Sequence, residues 1–307
     1  MRKKHSLLLL FPLIFTVFSC GPAPLPDPDI PPDGKVYIDI LHINDLHGKM
    51  VRDDVDKDPG IAKIGRYIKN RRARNPDGLV LLSGGDMWQG SSASNSDKGL
   101  LMTEWMNMME FDAMTLGNHE FDWGQDNIHN VLTTADFPFL GANIVSYPNS
   151  EALDYVKPYT IVERLGIKIG IIGIIGNQQW TSIYSPYVED ITFDRPLNYV
   201  KETSTILKEE ENCDIVVLSM HEGASSNNLS TYSPYVDVIF AAHDHEVYSD
   251  SRNDVYIIEG GVDGHHISQI RFIVDVETKE FSIDSDLTGY TEEDFLYNFD
   301  EDPEIAQ

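Results

Sequence analysis

An α/β fold is the architecture this sequence predicts, and three observations predict it. Apolar, β-rich segments alternate with segments whose apolar residues recur at helical spacing. The stretch Ile167 to Ile175 is apolar almost throughout, as a strand covered on both faces should be. Five short apolar segments also run straight into Asp or His, and α/β folds collect their chemistry at the carboxyl ends of strands.

Taken in order, Val36 to Ile43 alternates and reads as the first strand. Beyond it, Asp45 and His47 lie two residues apart and face one side of an extended chain. His42 faces away and reads as a packed or surface histidine, and Asn44 as a turn former. Residues 51–60 are polar, end in Pro59-Gly60 and form a loop. Ile61, Ile64, Tyr67 and Ile68 mark a helix. Arg71, Arg72 and Arg74 close it, suit its dipole and read as a solvated end. Gly78 to Ser83 is a second strand opening into Gly84-Gly85-Asp86, with Trp88 a core residue just beyond.

Leu100 to Met109 is a helix whose methionines (102, 106, 108 and 109) fill the core. Ala113 to Leu116 is a short strand broken by Gly117, with Asn118 and His119 at its end. Asp122 either caps the helix expected over 124–133 or partners His119. Phe137 to Ala142 is a short strand. Tyr159 to Arg164 and Ile167 to Ile175 form a hairpin about Leu165-Gly166. Pro196 to Glu210 is a helix, and Cys213 a core or edge residue. Asp214 to Met220 is a strand ending at His221. Val236 to Ala242 is another, ending at His243 and His245, with Asp244 turned away between them. Val255 to Ile258, Ile267 to Val276 and Phe281 to Ile283 are closing strands. His129, His265 and His266 belong to no motif and are expected to be exposed.

The flanks carry a different signal. Arg2, Lys3 and Lys4 precede an apolar run from Leu7 to Phe18, short for a membrane span. The run ends at Val17-Phe18-Ser19-Cys20, which resembles a bacterial lipoprotein cleavage box with Cys20 as the lipidated residue. Residues 1–19 are thus expected to be a signal peptide and 20–34 a stiff Pro-rich tether. Residues 35–290 are expected to form the catalytic domain and 291–307 an acidic tail or linker. Removing residues 1–19 takes away three basic residues and no acidic ones, so the formal charge moves from −27 to −30. Such acidity argues against nucleic-acid binding through the general surface. With two cysteines in all, one of them Cys20, no intrachain disulfide is expected.

Asp45-Leu46-His47, Gly84-Gly85-Asp86, Gly117-Asn118-His119-Glu120, His221 and His243-Asp244-His245 together resemble the five motifs of calcineurin-like metallophosphoesterases. Ile40 to Gly48 and Gly117 to Asp122 are closer still to the catalytic half of bacterial 5′-nucleotidases and their UDP-sugar hydrolase and cyclic-phosphodiesterase relatives. The resemblance spans roughly residues 36–285 and implies a four-layer α/β sandwich, two packed mixed sheets flanked by helices. It implies one divalent ion held by Asp45, His47, Asp86 and His245, and a second by Asp86, Asn118, His221 and His243. A nitrogen and oxygen donor set without thiolate suits Mn²⁺, Zn²⁺ or Fe. His119, oriented by Asp122, is implied as an acid or transition-state stabiliser.

The function implied is hydrolysis of nucleotides by a metal-activated water. Cyclic-nucleotide phosphodiesterase, UDP-sugar hydrolase and thiohydrolase are alternatives on the same fold, and a non-catalytic surface binding lipoprotein is another. Two departures stand out. Ala242 precedes His243 where the family usually has Gly. The sequence also stops where the nucleotide-gripping domain of two-domain relatives would begin, so a separately encoded C-terminal partner is an expectation. The location expected is the bacterial cell envelope, through a lipid anchor.

Overall fold

The computed structural model describes residues 28–225, 229–292 and 294–306. The signal-peptide segment, Cys20 and the tether up to residue 27 lie outside the described residues. In chain order the elements are β1 (Lys35–Ile43), α1 (Gly60–Arg74), β2 (Leu79–Ser83), α2 (Ser92–Asp97), α3 (Leu100–Met108), β3 (Ala113–Thr115), α4 (Gln125–Leu132), β4 (Phe139–Leu140), β5 (Ile144–Ser146), β6 (Tyr159–Arg164), β7 (Ile167–Ile175), β8 (Ile191–Phe193), α5 (Pro196–Thr205), β9 (Ile215–His221), β10 (Val238–Ala241), β11 (Val247–Arg252), β12 (Val255–Gly260), β13 (Ser268–Asp275), β14 (Phe281–Ile283) and β15 (Gly289–Tyr290). Among the described residues no helix is long and apolar enough to cross a membrane.

Two mixed sheets result. The first has the order β14-β13-β1-β2-β3-β4, with β15 beside β13. Strands β1 to β4 run parallel, and β13 and β14 antiparallel. The second has the order β11-β12-β10-β9-β7-β6. Its four central strands run parallel, and its edges β11 and β6 antiparallel. A β5–β8 ribbon stands apart.

The two-residue period of the strands assigns each side chain to a layer. Ile38 and Ile40 of β1 and Val80 and Leu82 of β2 point inward, against Ile169, Ile171, Val217 and Phe240 of the second sheet. Leu41, Ile43 and Leu81 point outward, against Ile64 and Ile68 of α1 and Met102 and Met106 of α3. On the far side, Ile172, Ile174, Val216 and Leu218 pack against Val200 of α5 and Leu207. The result is helix, sheet, sheet, helix. It is the four-layer sandwich, where strand–helix alternation alone allowed a single doubly wound sheet.

Several local expectations are corrected. Of the arginines closing α1, only Arg74 is a solvated end. Arg71 is buried, and its Nη1 donates to Gln269 Oε1 at 2.5 Å. Arg72 donates to Met109 O at 2.7 Å, and Arg74 pairs with Asp29. Strand β13, distant in sequence, supplies Gln269 beside the helix end. Met108 is exposed while the other three methionines are buried. His129 is exposed, but His265 and His266 are half-buried, bonded to Asp58 Oδ1 and Thr291 O. The helix from Pro196 continues to Glu210, its last five residues as a π-helical turn. Helix α2, the β5–β8 ribbon and β11 carried no period to read. In β11, Val247 to Arg252 holds four polar residues in six, as an exposed edge does.

The C-terminal stretch also packs. Leu296 is fully buried, and Phe295 and Phe299 meet Tyr67 edge-on at 5.9 and 5.8 Å. Asp302 donates its N–H to Ala62 O at 2.9 Å and accepts from Lys69 Nζ at 3.0 Å. Ile305 lies so close to Gly65 that a Cβ there would sit 2.3 Å from it. Four apolar residues spread over eleven positions make no period, yet turns bring each of them onto α1.

Candidate metal centre

All five motif-bearing strands are parallel members of their sheets, and their carboxyl ends meet at one edge of the sandwich. β1 leads to Asp45 and His47, β2 to Asp86, β3 to Asn118 and His119, β9 ends in His221, and β10 leads to His243 and His245. The structure brings all nine predicted residues together. Asp45, His47 and His245 form one group whose ligating atoms lie within 4.8 Å of one another. Asp86, His221 and His243 form a second, and His47, Asp86 and His119 link the two.

The loops carrying these residues are bent tightly. Asp45, His47, Asp86, His243 and His245 all have left-handed φ, between 47° and 83°. Asp and His enter this region more readily than most residues, at a cost of roughly 1–3 kcal/mol each. Backbone bonds offset the cost. Asp45 N donates to Gly85 O, His47 N to Asp86 O and Gly48 N to Met87 O, all at 2.9–3.0 Å. Gly117 permits the closest approach, since a Cβ there would sit 2.2 Å from Asp86 Oδ1. Ala242 is accommodated because it is not the left-handed residue of its turn; His243 is.

The donor set fits divalent cations. His47 Nδ1 lies 3.0 Å from Gln89 O, and His221 Nδ1 lies 2.8 Å from Gly84 O. A carbonyl only accepts, so each Nδ1 carries the proton and each Nε2 lone pair faces the centre. There His47 Nε2 sits 3.2 Å from His245 Nε2. His221 Nε2 sits 3.1 Å from both Asn118 Oδ1 and Asp86 Oδ2. Ring nitrogens and oxygens converging at this range need a proton or a metal cation among them. Asp45 Oδ1 and His243 Nδ1 are buried without any hydrogen-bond partner, as free ligand atoms would be.

Electrostatics point the same way. Burial pulls the His221 imidazolium down, but the Asp86 charge and hydrogen bond outweigh it and lift its pKa to about 10. Asp86 is in turn held below the usual carboxylate range: burial pushes it up, and His221 more than compensates. The Asp45 carboxylate, whose Oδ1 lies 3.5 Å from His245 Nε2, raises His245. The centre thus attracts positive charge wherever its carboxylates lie.

His119 stands beside the centre with 30 % of its side chain exposed. Its Nδ1 meets Asp122 Oδ2 at 2.7 Å, and its main-chain N–H donates to Asp86 Oδ1 at 2.8 Å. Burial pulls its pKa down, but the Asp122 hydrogen bond and the nearby carboxylates prevail, and it ends above the ordinary value. Asp122 caps nothing: α4 starts after Gly124 without a side-chain cap. Its carboxylate meets His119 instead.

Other residues behave as the sequence reading expected or add to it. His42 is buried, stacked on Phe240 at 4.8 Å and bonded to Ser219 Oγ at 3.1 Å. Asp244 is exposed and Trp88 buried. Asn44 does more than turn the chain, since its Nδ2 donates to Asp45 Oδ2 at 2.7 Å and Gly261 O at 2.8 Å. Two buried carboxylates were given no role. Glu120 accepts the N–H groups of Asp86, Met87 and Gly117 at 2.8–2.9 Å, and burial with the Asp86 charge pushes it up to about 7. Glu259 accepts from Ala224 and Glu246. The one signal for Glu259 was a carboxylate inside the apolar run Val255 to Gly260.

Comparison with known proteins follows this geometry. The family model for calcineurin-like phosphoesterases matches residues 38–247. A curated 5′-nucleotidase of Vibrio cholerae is 30 % identical over 235 residues, covering 75 % of this chain and 41 % of its own. Protein UshA of Salmonella pullorum is 34 % identical over 197 residues, covering 63 % and 35 %. The chain therefore spans about two fifths or less of the length of these relatives. Among solved structures, a 5′-nucleotidase precursor from Thermus thermophilus superposes with a TM-score of 0.74 at 20 % identity, covering 88 % of this chain and 57 % of its own. The calcineurin-like phosphoesterase YfkN from Bacillus subtilis superposes with a TM-score of 0.73 at 21 % identity, covering 88 % and 94 %. With the motifs gathered at one sheet edge and the model matched across them, this chain belongs to the calcineurin-like phosphoesterase family.

Proposed function

We propose that the chain is a two-metal phosphoesterase that hydrolyses nucleotides in the manner of a 5′-nucleotidase. The observation that carries this is the convergence of Asp45, His47, Asp86, Asn118, His221, His243 and His245 around two buried, unpartnered ligand atoms, with the His119–Asp122 pair at the rim. Asp45, His47, Asp86 and His245 would hold one ion; Asp86, Asn118, His221 and His243 would hold the other. Mn²⁺, Zn²⁺ and Fe suit these donors. When bound, such ions neutralise phosphoryl charge and lower the pKa of water.

The chain's own groups do the rest. Asp86 lies with His221 and His243 and also with His47, so its carboxylate could serve both ions. Asp122 holds Nδ1–H of His119 and leaves Nε2 free. The Asp122 hydrogen bond favours the protonated ring, whose Nε2–H can pass its proton to the departing ester oxygen. The nucleotidase reading is supported by the similarity to the 5′-nucleotidases above, and no feature of the described site favours the cyclic-ester, sugar-nucleotide or thiohydrolase alternatives.

We place the protein at the bacterial cell envelope, anchored through Cys20, on the strength of Arg2-Lys3-Lys4, the apolar run and the cleavage box. Labelling with a radioactive fatty acid that persists in Cys20→Ala would overturn the anchor.

The activity is tested by phosphate release from 5′-AMP with Mn²⁺, beside Asp86→Ala and a chelated sample. Release that vanishes in both controls is expected. Metal-dependent release from a cyclic phosphodiester with none from 5′-AMP would overturn the nucleotidase reading. No metal-dependent release from any phosphoester would overturn the hydrolase.

A further inference from the structure

The second sheet holds a buried carboxylate that the chemistry above does not use. Glu259 lies in β12, fully buried, in parallel register with Ala241 of β10. Its Oε2 accepts the N–H of Ala224 at 2.7 Å, and its Oε1 accepts the N–H of Glu246 at 3.1 Å. Ala224 is three residues past His221, and Glu246 is the residue after His245. One carboxylate therefore ties together the two loops that leave the ligand-bearing strands β9 and β10.

Those loops lie against each other. A Cβ on Gly223 would sit 1.9 Å from Asp244 Oδ2, so the Asp244 side chain lies directly against the Gly223 backbone. In the loop after β10, His243 and His245 both have left-handed φ, and Glu246 O accepts from Gly261 N at 2.8 Å. His243 N donates to Asp45 Oδ2 at 2.9 Å, and that fixes the loop to the first sheet. Ala242 N donates to Glu222 O at 3.3 Å, a longer tie between the two loops, and the two shorter bonds accepted by Glu259 stand beside it.

We propose that Glu259 is a positioning residue: by accepting the N–H groups of Ala224 and Glu246 it sets His221 relative to His243 and His245, so that their lone pairs converge on the ligand atoms of the first sheet. A carboxylate suits this task because it accepts at both oxygens and donates at neither. Glutamine in its place offers one acceptor and one NH₂ group, which would face an N–H. One of the two ties must then break. Groups that orient metal ligands change metal affinity when lost, typically by 10–100-fold.

The inference rests on reading these histidines as metal ligands, and the experiment separates the two. Mn²⁺ affinity is measured by competition with a chelator for the wild type, Glu259→Gln, Asp86→Ala and Asp112→Asn. Asp112 is a half-exposed-to-buried carboxylate at the opposite end of β3, paired with Arg164 at 2.5 Å, and serves as a structural control. Thermal melting of the metal-free proteins is followed alongside. We expect Glu259→Gln to weaken Mn²⁺ binding about 10–100-fold and Asp112→Asn to leave it within about threefold, whatever each does to melting. Affinity of Glu259→Gln within threefold of wild type, or a loss equalled by Asp112→Asn, would overturn the positioning role. Undiminished binding by Asp86→Ala would instead overturn the ligand reading beneath it. If Glu259→Gln does not fold, Glu259→Asp is read on the same criterion, because it keeps both acceptors but shortens their reach.

Discussion

Asp45 Oδ2 accepts the main-chain N–H of His243 at 2.9 Å. A side chain at the end of one sheet thus fixes the backbone of a loop leaving the other, and the partner oxygen of the same carboxylate is left buried and free. The fold of the second loop and the ligand set of the first are coupled through one group.

Asp45→Asn separates these duties. An amide can keep either the bond from His243 N–H or the free oxygen, but not both as acceptors. We expect the variant to lose metal affinity about 10–100-fold, with phosphate release falling at least in parallel. Equilibrium dialysis against Mn²⁺ checks it.

His119→Ala removes a proton donor without removing a ligand. We expect kcat to fall roughly 10²–10⁴-fold, with the metal content of the purified protein unchanged. The loss should shrink for an aryl phosphate, whose leaving oxygen needs no proton. Asp122→Asn should lower kcat less. Steady-state kinetics on 5′-AMP and p-nitrophenyl phosphate, with metal analysis of each sample, test this pattern.

His42 makes stability depend on pH. Burial between the sheets pushes its pKa down from 6.5 to about 3, against a raising influence of Asp45. The unfolded chain therefore binds a proton between these values that the folded chain refuses. Stability contributed by the neutral ring is intact above about 6.5 and is lost as pH falls towards 3, by up to about 1.4 kcal/mol per pH unit. His42→Gln removes that contribution. Urea midpoints of the two metal-free proteins should draw together as pH falls from 7 to 4.

Leu296→Ala tests the packing of the C-terminal stretch on α1. A fully buried leucine replaced by alanine costs about 2–5 kcal/mol. A loosely attached tail would cost nothing. Urea unfolding at neutral pH measures the difference.

Much of this protein is determined by local pattern. Alternation in Val36 to Ile43 specifies a strand by its two-residue period, and Ile167 to Ile175, rich in β-branched residues and bounded by Gly166, specifies one buried on both faces. The chemistry at five strand ends is legible for the same reason: the residue after an apolar strand emerges at a sheet edge. The pairing of His119 with Asp122 lies within three residues and was open between two readings; the missing cap on α4 decided it.

What the tertiary structure alone decided are contacts between residues far apart in the chain. Arg71 was a plausible solvated cation until β13 placed Gln269 against it. Residues 291–307 had no period, because a segment that follows the shape of α1 through turns needs none. Glu120 and Glu259 gave little sign of their roles, since what they bind is the main-chain N–H of other loops, and every non-proline residue offers one. The left-handed turns at Asp45, His47, Asp86, His243 and His245 belong to the same class. No local preference dictates them; they persist because the bonds between neighbouring loops, formed only when both sheets are in place, outweigh their cost.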